Sequence, residues 1–279
     1  MQIRPLDSRN KLEIHDLVMK DPNVNIFLLE RLLHGNIQGW GIEEWHGVFV
    51  DRKLIAISFC GGRNKPLTRA KLFTGYGSLK ACTIISKFQK KRGGFEMAIG
   101  EDLFIQSIVD SQNSTLVFNY EQDYMTCTKN DLDTDGSFLQ IEPAQISDFE
   151  EIYSNSGLMI FEDLGYNPCK TQPNIQKELI TKRIEENRIL IAKIENRIAF
   201  QIEVGVMLSV GCQVGSTYIP IPFRGKGLSA QYMRATCGYL LEQTQSVNLY
   251  VHTDNIPAQR CYQKTGFRKI AKYRLVKYQ

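Results

Sequence analysis

The stretch Ile221 to Met233, IPFRGKGLSAQYM, sets Gly225 and Gly227 beside Arg224 and Lys226, directly ahead of a run with helical spacing. The start of a helix leaves N–H groups without intrahelical partners and carries partial positive charge. Glycine lets backbone approach a ligand with no side chain in between. Such a turn suits a phosphate or diphosphate, held by the N–H groups of Lys226, Gly227, Leu228, Ser229 and Ala230, with Arg224 and Lys226 adding charge. The same residues satisfy the dinucleotide pattern G-x-G-x-x-A, and Asp254 ends the next strand, near where a ribose-binding acid would sit. Context argues against that reading. A dinucleotide fold opens on its glycine turn and needs several further βα units, whereas only about fifty residues remain here and an antiparallel hairpin has already passed. The P-loop spacing G-x-x-x-x-G-K-[ST] is absent.

The elements that position this turn are predicted from periodicity and punctuation. Leu228, Tyr232, Ala235 and Tyr239 recur at helical spacing, which predicts a helix to about Gln243. SVNLYVH alternates as a strand, IPAQRCYQKTG is a short helix with Pro257 in its first turn and Gly266 at its end, and FRKIAKYRLVKY closes as a strand. Upstream, FLQIEPA is a short strand, and a capping box from Ser147 to Glu150 is predicted to open a helix in QISDFEEIYSNS. ITKRIEEN closes another helix, RILIAKI and RIAFQIEVGVML form a hairpin turning at Glu195-Asn196, and CQVGSTYIPI leads into the glycine turn. The fold class is α/β, with a mixed sheet and helices packed on it.

The N-terminal half echoes this order. AISF is a strand, AKLFTGYGSLKACTIISKFQKKRG reads as strand, Gly75-x-Gly77 turn and helix, and EMAIGEDLFIQSIVDS as strand then helix. Duplication and coincidence between two α/β segments both account for the echo. The polar run TKNDLDTDGS, Thr128 to Ser137, marks a connector. We expect domains at 1–130 and 138–279.

Composition bounds the function. A chain of 279 residues with 43% hydrophobic content can bury one large core or two ordinary ones. With 34 basic and 30 acidic residues the formal charge is only +4, so neither nucleic acid nor a membrane surface is an expected partner. No segment approaches the roughly 18 apolar residues of a membrane span, and the start lacks the apolar core of a signal peptide, so a soluble, cytoplasmic protein is expected. Seven dispersed cysteines without CxxC spacing, and four dispersed histidines, argue for reduced core thiols and against a bound metal.

The strongest combination lies downstream of the turn. Asn255, Ala258, Tyr262, Gly266 and Phe267 give N-x-x-A-x-x-x-Y-x-x-x-G-F, one strand after the glycine-turn helix. Here the chain resembles the GNAT superfamily of N-acyltransferases: RGKGLS matches the superfamily's [Q/R]-x-x-G-x-[G/A] acyl-CoA turn, and NIPAQRCYQKTGF its following helix. Ser229 stands where Gly or Ala is usual. The resemblance covers roughly Phe138 to Gln279, and FEDLGYNP followed by STYIPIPFRGKG is similar to two-lobed members that carry a degenerate first copy. That first copy keeps Gly75 and Gly77 but has no arginine before them, and AIGEDLFIQ offers neither the Asn nor the Tyr. It is therefore not expected to bind acyl-CoA, and its role would be scaffold, acceptor-pocket wall or homodimer surface.

The resemblance implies a tandem GNAT-like architecture and an enzyme that moves an acetyl or other acyl group from acetyl-CoA to a primary amine by direct attack in a ternary complex. Tyr262 would protonate the departing thiolate, since an unperturbed phenol has a pKa of about 10; the plainer reading is a core tyrosine. Backbone N–H groups near Tyr218 and Ile219 would hold the oxyanion. Glu203, in AFQIEVG, is the candidate base, or else an outward, solvated glutamate. Glu162 and Asp163 are second candidates for the base, or attract a cationic amine. Asn255 would touch CoA, or would simply cap the helix before Pro257. A rival of another class is a non-catalytic CoA-sensing or protein-interaction module.

Overall fold

The computed structural model describes residues 1–35, 37, 43–63, 68–109, 115–133 and 139–279. The connector read at 128–137 therefore lies partly outside the described residues. By contacts the chain divides into two compact units, Met1–Tyr124 with Tyr250–Asp254 and Lys269–Gln279, and Met125–Leu249 with Asn255–Arg268. The sequence division at 130–138 assigned everything after it to the second half; here residues 250–254 and 269–279 count with the first unit.

The chain runs through one order of elements twice. The first pass is β1 (Gln2–Pro5), α1 (Lys11–Val18), α2 (Ile26–His34), β2 (Glu43–Val50), β3 (Lys53–Gly61), β4 (Ala70–Gly77), α3 (Cys82–Lys91), β5 (Phe95–Glu101), α4 (Asp102–Val109) and β6 (Leu116–Thr128). The second is β7 (Glu142–Pro143), α5 (Phe149–Leu164), α6 (Pro168–Thr171), α7 (Pro173–Glu185), β8 (Ile189–Ile194), β9 (Arg197–Leu208), β10 (Gly211–Tyr218), α8 (Ser229–Leu241), β11 (Ser246–His252), α9 (Ile256–Thr265) and β12 (Arg268–Tyr278). Apart from the short added α6, each helix and strand of the first pass has a counterpart in the second.

In the first unit β1 to β4 pair antiparallel in sequence order, β4 and β5 pair parallel, and β12 pairs antiparallel with β5. Its core joins Phe73, Phe95 and Ala98 of the sheet, Ile85 and Ile105 of the helices, and Val276 and Tyr278 of β12. The Gly75-x-Gly77 segment is not the turn predicted from sequence. Both glycines lie in β4, with Gly75 opposite Ser58. A Cβ on Gly75 would sit 2.6 Å from a Phe104 ring carbon, and one on Gly77 would sit 2.6 Å from Ala56 Cα, so close packing explains both. On β2, Glu44 is buried between Arg63 (3.2 Å) and Arg92 (2.8 Å), and two residues along His46 is buried against the Phe88 ring. Burial, and then the charges of Arg92 and Arg63, hold the imidazole's pKa down to about 3.

In the second unit β7, β8, β9 and β10 pair antiparallel, and β10 pairs parallel with β11. The hairpin turn falls at Glu195 and Asn196, with φ of 51° and 61°, the left-handed pair that a two-residue turn between twisted strands requires. The capping box is two residues earlier than the sequence suggested: Asp148 accepts from the Gln145 N–H at 3.0 Å, a short 3-10 turn follows, and α5 starts at Phe149. Ile152 of α5 and Ile180 and Ile184 of α7 pack on Ile189, Ile191 and Ile198 of the hairpin. A register slip in β9, which leaves Ala199 without a partner between Ile198 and Phe200, turns Phe200 the other way, where it stacks on Tyr232 of α8 at 5.0 Å. Helices thus cover both faces of this unit's sheet. All seven cysteines are free, six of them buried and Cys261 half-buried.

Candidate functional site

The glycine turn is built from backbone conformation. A 3-10 turn at Ile221–Phe223 gives way to extended Arg224, and Gly225 and Gly227 adopt φ of 74° and 72°, the left-handed region where a side chain is strained. A Cβ built on either glycine meets nothing within 4 Å, unlike those on Gly75 and Gly77. Conformation and open space, rather than crowding, account for glycine at 225 and 227. α8 begins at Ser229, so Lys226 and Gly227 belong to the turn and Leu228 is the N-cap. Leu228 makes no side-chain cap bond, and the first backbone bond, from Tyr232 N–H to Leu228 O, spans 3.0 Å. The first turn of α8, Ser229 and Ala230 included, therefore follows directly on the glycines with no bond from its N-cap side chain. Lys226 Nζ lies 5.4 Å from the Phe223 ring centroid.

Arg224 departs from the expectation that its charge faces the turn. Its Nη2 donates to both carboxylate oxygens of Glu162 at 3.0 and 2.9 Å, its Nε donates to Ile219 O at 2.7 Å, and the guanidinium lies 5.1 Å from the Tyr218 ring centroid. The Tyr218 hydroxyl also donates to Glu162, at 3.4 Å. The last turn of α5 thereby holds the strand end and the glycine turn together.

β10 is irregular where chemistry would be placed. Its antiparallel register with β9 slips between Gly215, opposite Glu203, and Tyr218, opposite Gln201, leaving Ser216 and Thr217 in a bulge with Ser216 at φ 50°. On the other side, β10 pairs with β11 at Cys212↔Val247 and Gln213↔Asn248, whereas β10 itself runs on to Tyr218. The pairing with β11 thus stops at Gln213, before β10 itself ends at Tyr218. Tyr262 of α9 lies beside the bulge, with its hydroxyl near the Thr217 side chain. Its phenol is buried, and burial pushes its pKa up to about 12 against the lowering effect of Thr217. The side chains of Ser229, at the start of α8, and Cys261 of α9 lie near each other, one residue from Tyr262. Asn255 is a cap: its side chain accepts from the Ala258 N–H at 3.2 Å, and Pro257 follows in the first turn.

Glu203 is not outward and solvated. Its side chain is only 16% exposed and meets Arg183 Nη1 at 2.6 Å, with the Ser216 side chain nearby. Burial raises its pKa, opposed by the guanidinium and the hydroxyl. On the same strand face Gln201 donates to Ser156 Oγ of α5 at 3.2 Å. Glu203 thus faces α5 and α7, and Glu162 lies at the end of α5. Asp163 is exposed, and its charge also raises the Tyr262 pKa. Among the described residues no group of three or more His, Cys, Asp or Glu is placed to hold a metal, and no helix is long and apolar enough to cross a membrane.

Residues 206–276 match the family model described as FR47-like protein. Over the whole chain, the structure is similar to an acetyltransferase of the GNAT family from Colwellia psychrerythraea, with a TM-score of 0.62 at 11% identity and 100% of both chains covered. A GCN5-related N-acetyltransferase from Sphaerobacter thermophilus gives a TM-score of 0.67 at 13% identity, covering 99% of this chain and 94% of that one. The fold is that of the GNAT acetyltransferases. A tandem GNAT protein from the clavulanic acid biosynthesis pathway, solved without acetyl-CoA, is also similar end to end, with a TM-score of 0.54 at 9% identity over 99% of this chain and 97% of that one. No curated protein matches the chain by sequence.

Within this GNAT fold, three partners escaped the sequence reading. Ser216 and Thr217 are set by the bulge, for which Gly215 inside a predicted strand was the available signal. Arg183 comes from α7, far along the chain from Glu203, and nothing in local spacing singles it out.

Proposed function

We propose that the second unit is an N-acyltransferase that moves an acyl group, acetyl being the simplest, from acyl-CoA to a primary amine in a ternary complex. The observation that carries this reading is the convergence of an uncapped helix start behind two open left-handed glycines with a bulged strand end and the buried phenol of Tyr262. An acyl-CoA diphosphate fits such a turn, because the amides of Lys226, Gly227, Leu228, Ser229 and Ala230 would have it in reach with no Cβ intervening. The tightly packed Gly75 and Gly77 leave no comparable room in the first unit, which supports reading that lobe as a non-binding copy.

When bound, acyl-CoA supplies an activated carbonyl and a thiolate leaving group. Glu203, kept above the ordinary carboxylate range by burial, takes a proton from the attacking amine. The backbone N–H groups of Tyr218 and Ile219, at the strand end that leaves the β11 ladder, hold the developing charge on the carbonyl oxygen. Tyr262 stays protonated across the neutral range and donates to sulfur. Glu162 and Asp163 attract a cationic acceptor. The assignment is tested by thiol release from acetyl-CoA against a panel of amines. Acceptor-dependent thiol release is expected. Saturable CoA binding with no turnover on any amine would instead support a CoA-sensing module.

A further inference from the structure

Arg224 is the one guanidinium in the glycine turn, and it is already engaged. Glu162 takes two contacts from Nη2, Ile219 O takes Nε, and the Tyr218 ring lies beneath the plane. The two charged side chains are about equally exposed, at 41% and 42%, so solvent weakens the pair and it can open. A diphosphate in the turn offers the same guanidinium a more concentrated negative charge with several acceptor oxygens. Glu162 and the diphosphate therefore compete for one arginine. We propose that Glu162 is a built-in competitor for the acyl-CoA site: it holds Arg224 when no diphosphate is present and gives it up on binding.

This rests on the acyltransferase reading above and adds a regulatory residue to that site. Opening the pair also frees the Glu162 carboxylate at the end of α5, the element whose Ser156 and last turn flank Gln201 and Tyr218. Binding in the turn is thereby coupled to the charge presented on the α5 and α7 side of the sheet, where Glu203 lies. The coupling is reciprocal by linkage, so whatever cation then occupies Glu162 tightens the diphosphate in turn.

Calorimetric titration with coenzyme A of the wild-type chain, Glu162→Gln, Arg224→Gln and the double variant tests this. Removing the competitor should tighten CoA about two- to fivefold, the range an exposed ion pair can supply. Arg224→Gln should weaken binding, and adding Glu162→Gln to it should change the affinity less than twofold. Equal or weaker CoA binding by folded Glu162→Gln overturns the proposal, as does an equal gain in the Arg224→Gln background, which would mean simple removal of a nearby charge. Glu162→Ala repeats the test with the side chain removed. If the wild-type chain and every variant fail to bind CoA, the acyltransferase reading itself falls; CoA binding without the Glu162 effect leaves that reading standing and removes only the exchange.

Discussion

Burial of the Tyr262 phenol, with its pKa pushed up to about 12, makes it a donor that is never ionised under ordinary conditions. Replacement by phenylalanine keeps the ring among its neighbours and deletes the proton. We expect Tyr262→Phe to lower kcat by about 10²-fold, the scale of general acid catalysis, while calorimetry finds CoA affinity within twofold of the wild type. Full retention of kcat would remove Tyr262 from the chemistry. Glu203 supplies a second expectation, with a definite sign. Burial raises its pKa and Arg183 pulls it back, so Arg183→Gln lets it climb further. A base works when deprotonated, so the acid limb of kcat/KM should move to higher pH by about one unit, and Glu203→Gln should abolish that limb. An unmoved limb in Arg183→Gln would point to another base. Glu203 itself was legible as an unusual carboxylate on a strand, but its partner was not: a contact between Arg183 on α7 and β9 depends on how two elements pack, which local spacing does not encode.

Elements whose geometry is set by their own residues were the easily read ones. The Glu195-Asn196 hairpin, the Gly266 end of α9, where φ is 110°, and the left-handed Gly225 and Gly227 all follow from local backbone preference. The bulge at Ser216 and Thr217 was harder, because a register slip is defined by the partner strand as much as by the bulged one. Gly75-x-Gly77 shows the same limit. Its spacing resembles that of Gly225 and Gly227, yet the side chain of Phe104 and the backbone of Ala56 make it a strand end packed from outside. At this scale Asn255 caps α9. Asn255→Ala should cost about 1 kcal/mol of stability, read as a lowered thermal midpoint, with Asn255→Asp restoring it and CoA affinity unchanged in both. A large loss of CoA affinity with an unchanged midpoint would show that the amide serves the ligand instead.

For the whole molecule, composition and element order were enough to read an α/β chain with two similar halves, but where the halves divide was not in the sequence. The polar run after Thr128 marks a change of composition, whereas the membership of β12 in the first unit is decided by its pairing with β5 and the burial of Tyr273, Val276 and Tyr278. The buried polar group around Glu44 also acts on the stability of that unit as a body. His46 is held neutral with its pKa lowered from 6.5 to about 3, so the unfolded chain binds a proton there sooner than the folded one. Its contribution is complete above pH 6.5 and is lost as the pH falls toward 3, by up to about 1.4 kcal/mol per pH unit. Urea midpoints measured between pH 7.5 and pH 4.5 should fall on acidification, and His46→Gln should flatten that slope; an identical slope in the variant would assign the acid sensitivity elsewhere. The pairing of β12 with β5 carries a last consequence, for the order of events during synthesis. A nascent chain emerges from its first residue onward, yet the sheet begun by those first residues gains its β5 neighbour only when residues 269–279 leave the ribosome, so the lobe translated first is the one finished last.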